Sequence, residues 1–291
     1  MKPILAYVWQ RCWCRLLIAV ALLCALAVAH PFVRQSIFGP KIEGIPWCVW
    51  ENAARRAANP ARNPPSWYFK TLEELHLVQP QVDLTTHAPS LWPIYLHLAE
   101  DADVEVRRHA LKHLDSPRES RPETERSLRQ HLTDNDARCR LNAAWALWRS
   151  TKDPDLKEAV LTLAEDPNVM IRHEAISLVY NMAVDMPDLF EPLSKLAKVG
   201  DSQIRMVAVL SMAHFGKRAL PVVRTAFGDA SFEVRRAAAM ASGRLKDDGL
   251  ELIPILQLQQ DDTDHLTRRF AADALYRLDP KRFAKPATLV D

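Results

Sequence analysis

The stretch that decides the fold is Asp229–Leu245, DASFEVRRAAAMASGRL. Its first aspartate is followed six residues later by an arginine, and three residues after that by an alanine. The same arrangement recurs along the chain, with consecutive arginines 30 to 33 residues apart. These repeat arginines are Arg107, Arg140, Arg172, Arg205, Arg235 and Arg268, and they number the repeats from 1 to 6. A period in this range is typical of stacked helical repeats, so the sequence predicts an all-α solenoid.

The alanine and the aspartate of each repeat have separate physical roles. The alanine is Ala110, Ala143, Ala175, Ala208, Ala238 or Ala271, and we expect it to let neighbouring repeats approach closely. The aspartate six residues before the arginine, here called the outer aspartate, is Asp101, Asp134, Asp166, Asp229 or Asp262. In the fourth repeat it is displaced to Asp201.

The repeat arginine should lie in the first turn of a helix, where the helix dipole disfavours a positive charge. We therefore expect each arginine to pair with the aspartate of its own repeat or of the next one, as a ladder of bidentate ion pairs along the array. Because these groups occur in every repeat, the pattern indicates a structural role and not a catalytic one.

Apolar residues at helical spacing predict two helices in each repeat. The A helices follow the repeated phrase, at about 103–114, 136–149, 167–182, 202–215, 231–245 and 264–277. The B helices precede it, at about 90–99, 122–132, 154–164, 188–198, 217–227 and 249–259. Asp153-Pro154 and Asp166-Pro167 each place an aspartate at an N-cap and a proline at the first helical position. The predicted fold is a right-handed α-solenoid of about six helical hairpins over residues 90–278.

The pattern Asp…Val-Arg-x-x-Ala-x-x-x-Leu resembles HEAT repeats, in the short bacterial form that is also found in phycobilin lyases. The resemblance covers about Ser90–Leu278 and implies the fold; it implies little about function, because the matching residues are those that pack. Deoxyhypusine hydroxylase, built from similar repeats, carries His-Glu pairs on successive helices that hold two irons. Only His173-Glu174 resembles such a pair here, and one pair does not supply a di-iron site.

The N-terminal residues 1–33 carry an export or membrane signal. Leu16–Ala29 is a run of 14 uncharged residues, which extends to 18 at Val33, and Lys2, Arg11 and Arg15 precede it. The positive charges predict a cytoplasmic N-terminus and an exported array. Two alternatives remain open: a single-pass membrane anchor, which we prefer, or a signal peptide cleaved after Ala27-x-Ala29, which would leave a secreted or periplasmic protein.

Residues 34–89 are rich in proline and aromatic side chains, a composition that argues against a disordered spacer. Trp47–Ala58 predicts a short helix, and Thr71-x-x-Glu74 predicts a capping box that opens a helix at Leu72–Leu77. We expect the segment to cover the apolar end of the solenoid; an exposed aromatic docking patch is the alternative. The tail, residues 279–291, has no periodicity, and we expect it to be disordered.

Charge and site chemistry exclude several functions. The net charge of +2 gives no footprint for nucleic acid. His109 and His113 lie one helical turn apart with only His97 as a nearby third ligand, so we expect exposed histidines and no metal site. Trp145 and Trp148 are expected to pack locally, and Cys48 and Cys139 to form no disulfide framework. The sequence predicts no catalytic residue, no cofactor and no small-molecule substrate.

The function that the sequence favours is a non-enzymatic, membrane-tethered or exported scaffold that binds a protein partner. We expect the B helices to form the binding face. Candidate contact residues on that face are Arg126, Arg129, Lys157, Lys195, Arg224 and Gln257. The alternative is an accessory or lyase-like enzyme component that acts on a bound protein.

Overall fold

The computed structural model describes residues 39–42, 45–62, 90–114 and 121–286. The predicted membrane segment and the predicted capping box at Thr71 lie outside these residues. In the part that is described, no helix combines the length and the apolar character needed to span a bilayer. The chain divides into two compact units, an N-terminal unit of residues 1–116 and a C-terminal unit of residues 117–291.

The described part of the N-terminal unit begins with a short antiparallel pair, β1 (Lys41–Ile42) and β2 (Ile45–Pro46). Three helices follow: α1 (Trp47–Ala58), α2 (Trp92–Ala99) and α3 (Val104–His113). The predicted helix at Trp47–Ala58 is confirmed. The helices α2 and α3 are the B and A helices of repeat 1.

Helix α1 packs against both helices of repeat 1. Trp50 is fully buried, and its indole N–H donates to the carbonyl of Ile42 at 3.2 Å. Arg55 forms ion pairs with Glu51, at 3.1 Å, and with Asp101 of the first repeated phrase. This helix therefore buries apolar surface of the first hairpin, as the end of a solenoid requires. Residues 63–89, the rest of the predicted cover, lie outside the described part of the chain.

The described part of the C-terminal unit contains ten α-helices in alternating B and A order. The B helices are α4 (Pro122–His131), α6 (Lys157–Leu163), α8 (Phe190–Leu196), α10 (Leu220–Ala226) and α12 (Ile253–Leu258). The A helices are α5 (Ala137–Thr151), α7 (Val169–Met182), α9 (Ser202–Ser211), α11 (Phe232–Arg244) and α13 (His265–Leu278). With α2 and α3, the described residues contain the six predicted hairpins.

The A helices begin at a recurring polar turn. In repeat 2 the outer aspartate, Asp134, accepts the backbone N–H of Asp136 at 2.8 Å, and Asp136 accepts the N–H of Cys139 at 2.9 Å. Asp136 is thus the N-cap of α5, and the outer aspartate holds that N-cap in place. Repeat 3 is built in the same way, with Asn168 as the N-cap of α7. The prediction that Asp166 is itself the N-cap is therefore wrong by two positions.

Repeat 4 departs from this arrangement. Asp201 lies at the N-cap position of α9 and accepts the N–H of Ile204 at 3.0 Å. The position six residues before Arg205 is Val199, which is 52% exposed. Gly200 between them has φ 111°, in the left-handed region that favours glycine. Asp201 is therefore not a displaced outer aspartate, as the sequence predicted: repeat 4 keeps its N-cap and lacks the outer aspartate.

The core lies between helices of neighbouring repeats. In the C-terminal unit, successive A helices pack against one another, and each B helix packs against the A helix of its own repeat. The repeat alanine has a relative exposure of 0% in all six copies, which confirms its predicted place in the packed interior. Two A helices approach closely at Gly243, where an added Cβ would lie 3.0 Å from the Cα of Ala274.

The tryptophans and cysteines of the array also behave as packing residues. Trp148 is 1% exposed, and Trp145 packs against a buried cluster that includes Leu141 and Ile171. Cys48 and Cys139 are buried thiols that form no disulfide in the described structure. After the last helix, the side chain of Asp279 accepts the N–H groups of residues 281 and 282. Residues 287–291 of the predicted tail lie outside the described part.

Candidate interaction surface

Each repeat arginine is first tied to the loop of its own repeat. The Nη1 atom of Arg140 donates to the carbonyl of Asp134 at 2.8 Å, and Nη1 of Arg235 donates to the carbonyl of Asp229 at 3.0 Å. In repeat 4, which lacks the outer aspartate, Arg205 donates to the carbonyl of Gly200 at 2.8 Å. The guanidinium thus bonds carbonyl oxygens, which offsets the unfavourable place of a cation at a helix N-terminus.

The rest of the guanidinium reaches the next repeat. Nε and Nη2 of Arg205 donate to the two carboxylate oxygens of Asp229, each at 2.9 Å. Arg235 holds Asp262 in the same way, at 2.6 and 2.9 Å. The hydrogen bond from the arginine lowers the pKa of each aspartate below its ordinary value. The predicted bidentate pairs are confirmed at these two junctions, where the carboxylate comes from the following repeat.

The ladder is weaker in the earlier repeats of the C-terminal unit. Arg172 reaches Asp201 with one nitrogen at 3.3 Å, and the closest approach of Arg140 to Asp166 is 3.6 Å. The reason at Asp201 is geometric, because this carboxylate is already engaged as the N-cap of α9. The junctions of repeats 4, 5 and 6 are therefore joined by bidentate pairs, and those before them by single contacts.

Two further contacts between repeats lie beside the first row and were not predicted. Each joins the residue after a repeat arginine to the N-cap of the next repeat. Arg236 holds Asp264 through two contacts at 2.8 and 2.6 Å, and His173 lies 3.2 Å from Asp201. The other repeats with a following neighbour in the C-terminal unit carry Leu141 and Met206 after the arginine, so no repeated signal in the sequence marks this pairing.

The His173-Glu174 dipeptide is divided between two neighbours. His173 contacts Asp201 of the next repeat, whereas Glu174 pairs with Arg138 of the preceding one. The two side chains therefore take part in contacts between repeats and do not converge on a common point. In the described residues, no group of three or more histidine, cysteine, aspartate or glutamate side chains is placed to hold a metal ion.

The histidine pair of repeat 1 forms an aromatic cluster. The ring centroids of His109 and His113 are 4.5 Å apart, and Tyr95 stacks on His113 at 5.0 Å. The prediction of exposed histidines is wrong for His109, which is half-buried, and this burial lowers its pKa to about 4. His97, the only nearby candidate for a third ligand, contacts Trp47, with a centroid separation of 6.2 Å.

The predicted contact residues on the B helices fall into two groups. Arg129 binds Glu125 at 2.9 Å and Asp153 at 2.5 Å, and Lys157 binds Asp188 at 2.5 Å. Each of these two cations is therefore paired with a carboxylate of the next repeat. The others are exposed: the cations Arg126, Lys195 and Arg224, which form no ion pair with a described residue, and the neutral Gln257.

The A helices and the B helices of the C-terminal unit therefore take part in different kinds of contact. The beginnings of the A helices are occupied by contacts between repeats, whereas the B helices carry exposed polar side chains, several of them without a partner in the described structure. A surface of the second kind can accept a partner without breaking the array.

Comparison with known proteins agrees with this architecture. The described fold is similar to an Escherichia coli protein, YibA, with a TM-score of 0.50 and 19% identity over 78% of this chain and 82% of that one. It is also similar to a designed armadillo repeat protein in complex with the peptide (KR)4, with a TM-score of 0.47 and 18% identity over 65% of this chain and 99% of that one. At 19% identity the likeness to YibA shows the fold alone. No curated protein matches the chain.

The sequence profile described as HEAT repeats matches three overlapping stretches, residues 93–179, 125–213 and 190–276. Together they cover both helices of each repeat and well over half of the chain. The repeated arginine, aspartate and alanine, the stacked A helices and this match lead to one conclusion: the chain belongs to the HEAT-repeat family.

Proposed function

We propose that this protein is a membrane-tethered or exported scaffold that binds a protein partner through the B helices of its C-terminal unit. HEAT repeats generally mediate interactions between proteins, which supports the class of function. The membrane part of the proposal rests on Leu16–Val33 and the basic residues that precede it. No catalytic role is proposed, because the polar groups that recur in the array take part in its packing.

The observation that carries the proposal is the contrast between the two helix sets. Arg205 and Arg235, on A helices, place their guanidinium groups against the next repeat. Arg126 and Arg224, on B helices, are exposed and have no carboxylate partner among the described residues. An exposed arginine without an internal partner can contribute to an interface with little cost in fold stability.

Affinity capture with the full chain tests this proposal. We expect a specific protein to be retained, and we expect Arg126→Glu and Arg224→Glu to weaken its retention. Lys281→Glu is the matched control, because Lys281 is an exposed cation beyond the last helix. If Lys281→Glu weakens retention as much as the B-helix variants do, the binding face is wrong. Mass spectrometry of the captured protein would also reveal a covalent adduct, the product expected of a lyase-like component.

N-terminal sequencing of the mature protein tests the membrane anchor. We expect an intact N-terminus in the membrane fraction. A mature chain that begins at His30 would instead show signal cleavage and an exported, untethered array.

A further inference from the structure

A cleft of about 260 Å³ lies between the end of α8 and the helix α10, at the junction of repeats 4 and 5. Its apolar lining is formed by Ala197, Val222 and Ala226, which are 6 to 8% exposed. Lys198 and Thr225 lie at its polar edge. The cleft therefore offers an apolar floor beside a positively charged side chain.

Small side chains open the cleft at this junction. The residue nine positions before the repeat arginine is Leu163 in repeat 3 and Leu196 in repeat 4, but Ala226 in repeat 5. Two residues later, repeat 5 has Gly228, where repeat 3 has Glu165. The side chain at this position is therefore smaller in repeat 5 than in repeats 3 and 4, and Ala226 lines the cleft between α8 and α10.

The charged side chains at the cleft that form no internal ion pair are positive. Asp229, which lines one end, is held by both nitrogens of Arg205. Lys198 lines the cleft, and Lys195 lies three residues before it on α8; both are exposed and form no ion pair with a described residue. An incoming carboxylate would therefore meet uncompensated positive charge, whereas a basic segment would be repelled.

We propose that the cleft is a docking site for an acidic segment of a protein partner, which inserts one apolar side chain between α8 and α10. The flanking carboxylates of that segment pair with Lys198 and Lys195. At about 260 Å³ the cleft is smaller than the roughly 300–1,000 Å³ of ordinary small-molecule sites, and it suits a single leucine-sized side chain. This inference rests on the proposed function and adds the class of partner.

Fluorescence anisotropy with synthetic peptides tests the inference on the full chain. The probe carries three glutamates on each side of a central leucine. Two matched peptides replace the leucine by glycine or the glutamates by lysines. We expect saturable binding of the acidic leucine peptide, at least about tenfold tighter than the glycine peptide, and no saturable binding of the lysine peptide.

Variants distinguish the contribution of the apolar cleft to peptide binding from that of the positive charge beside it. Ala226→Leu installs the residue that repeats 3 and 4 carry, so it should fill the cleft and remove the preference for leucine over glycine. Gly228→Glu places a carboxylate at the edge, where an added Cβ meets only an ordinary contact at 3.6 Å, and should weaken both acidic peptides. The double variant Lys195→Glu, Lys198→Glu should weaken binding by about tenfold or more, and Lys281→Glu should not.

Absence of saturable binding by the acidic leucine peptide overturns the inference. So does an unchanged preference for leucine in Ala226→Leu, provided that its circular dichroism and melting temperature match those of the parent. Failure of the proposed function gives a different result. In that case affinity capture with the full chain retains no specific protein, and Arg126→Glu does not change what is retained. A partner that is retained normally by Ala226→Leu would leave the scaffold function intact and exclude the cleft.

Discussion

Removing either partner of the Arg205–Asp229 ion pair should weaken the junction between repeats 4 and 5. The test is a double-mutant cycle of Arg205→Ala, Asp229→Ala and the double variant, which isolates the coupling between the two side chains. Asp229 also accepts the N–H of Ser231 at 2.8 Å. The loss of this bond affects the single variant Asp229→Ala and the double variant equally, so it cancels in the coupling energy. Asp229→Asn can keep the bond to Ser231 while removing the charge.

The structure sets the expected size of the coupling. The side chains are 20% and 15% exposed and are joined by two hydrogen bonds of 2.9 Å. Pairs on an open surface are worth less than about 1 kcal/mol, and breaking a fully buried pair costs about 3–5 kcal/mol. A half-buried bidentate pair lies between these limits, so we expect a coupling of about 1–2 kcal/mol. Arg205→Ala alone should cost about 2–3 kcal/mol, because it also removes the bond to the Gly200 carbonyl.

The assay is urea unfolding of the full chain followed by circular dichroism, with hydrogen exchange to locate the loosened helices. Because a repeat array can unfold in parts, the exchange of α9 and α11 decides whether the effect is local to this junction. The matched cycle uses Arg172 and Asp201, whose single contact is 3.3 Å, and should give a coupling below about 1 kcal/mol.

Two results would refute this reasoning. A coupling between Arg205 and Asp229 indistinguishable from zero would mean that the bidentate pair does not join the repeats. A coupling between Arg205 and Asp201 as large as that with Asp229 would mean that the arginine is held by its own repeat, as the sequence alone allowed.

Three further outcomes are expected. Ala208→Leu should cost about 1–3 kcal/mol of unfolding free energy by overpacking a fully buried position, and a neutral result in denaturant unfolding would place Ala208 outside the packed interior. The pKa of His109 is lowered to about 4 from an ordinary 6.5, so the unfolded chain binds the proton before the folded chain does as pH falls. The free energy of unfolding should therefore decrease between pH 6.5 and 4, by up to about 2 kcal/mol given the partial exposure of this side chain. In His109→Gln this part of the stability-versus-pH curve should be flatter. Elemental analysis of the purified protein should find no stoichiometric iron or zinc, and a metal that is lost in His173→Ala or His109→Ala would contradict this.

Periodicity and hydrogen-bonding rules explain which features of the fold could be predicted from the sequence. The A-helix arginines recur at a fixed period, so their common turn of the helix could be predicted, as could the burial of Ala238 and its equivalents. Helix starts were less secure, because both Asp166 and Asn168 are acceptable N-caps by residue type. Only the three-dimensional structure shows that Asn168 caps the helix, and that Asp166 accepts the backbone N–H of Asn168.

The sequence by itself determined the class of fold, the number of hairpins and the residues that pack them, because these follow from local periodicity. The tertiary structure decided the partners. It assigned the carboxylate of Asp229 to Arg205, gave Asp201 to the N-cap of α9, and opened a cleft beside Ala226. The physical reason is that a contact between repeats depends on the distance and angle between two helices, and residues about 24 to 29 positions apart carry no local signal of that geometry.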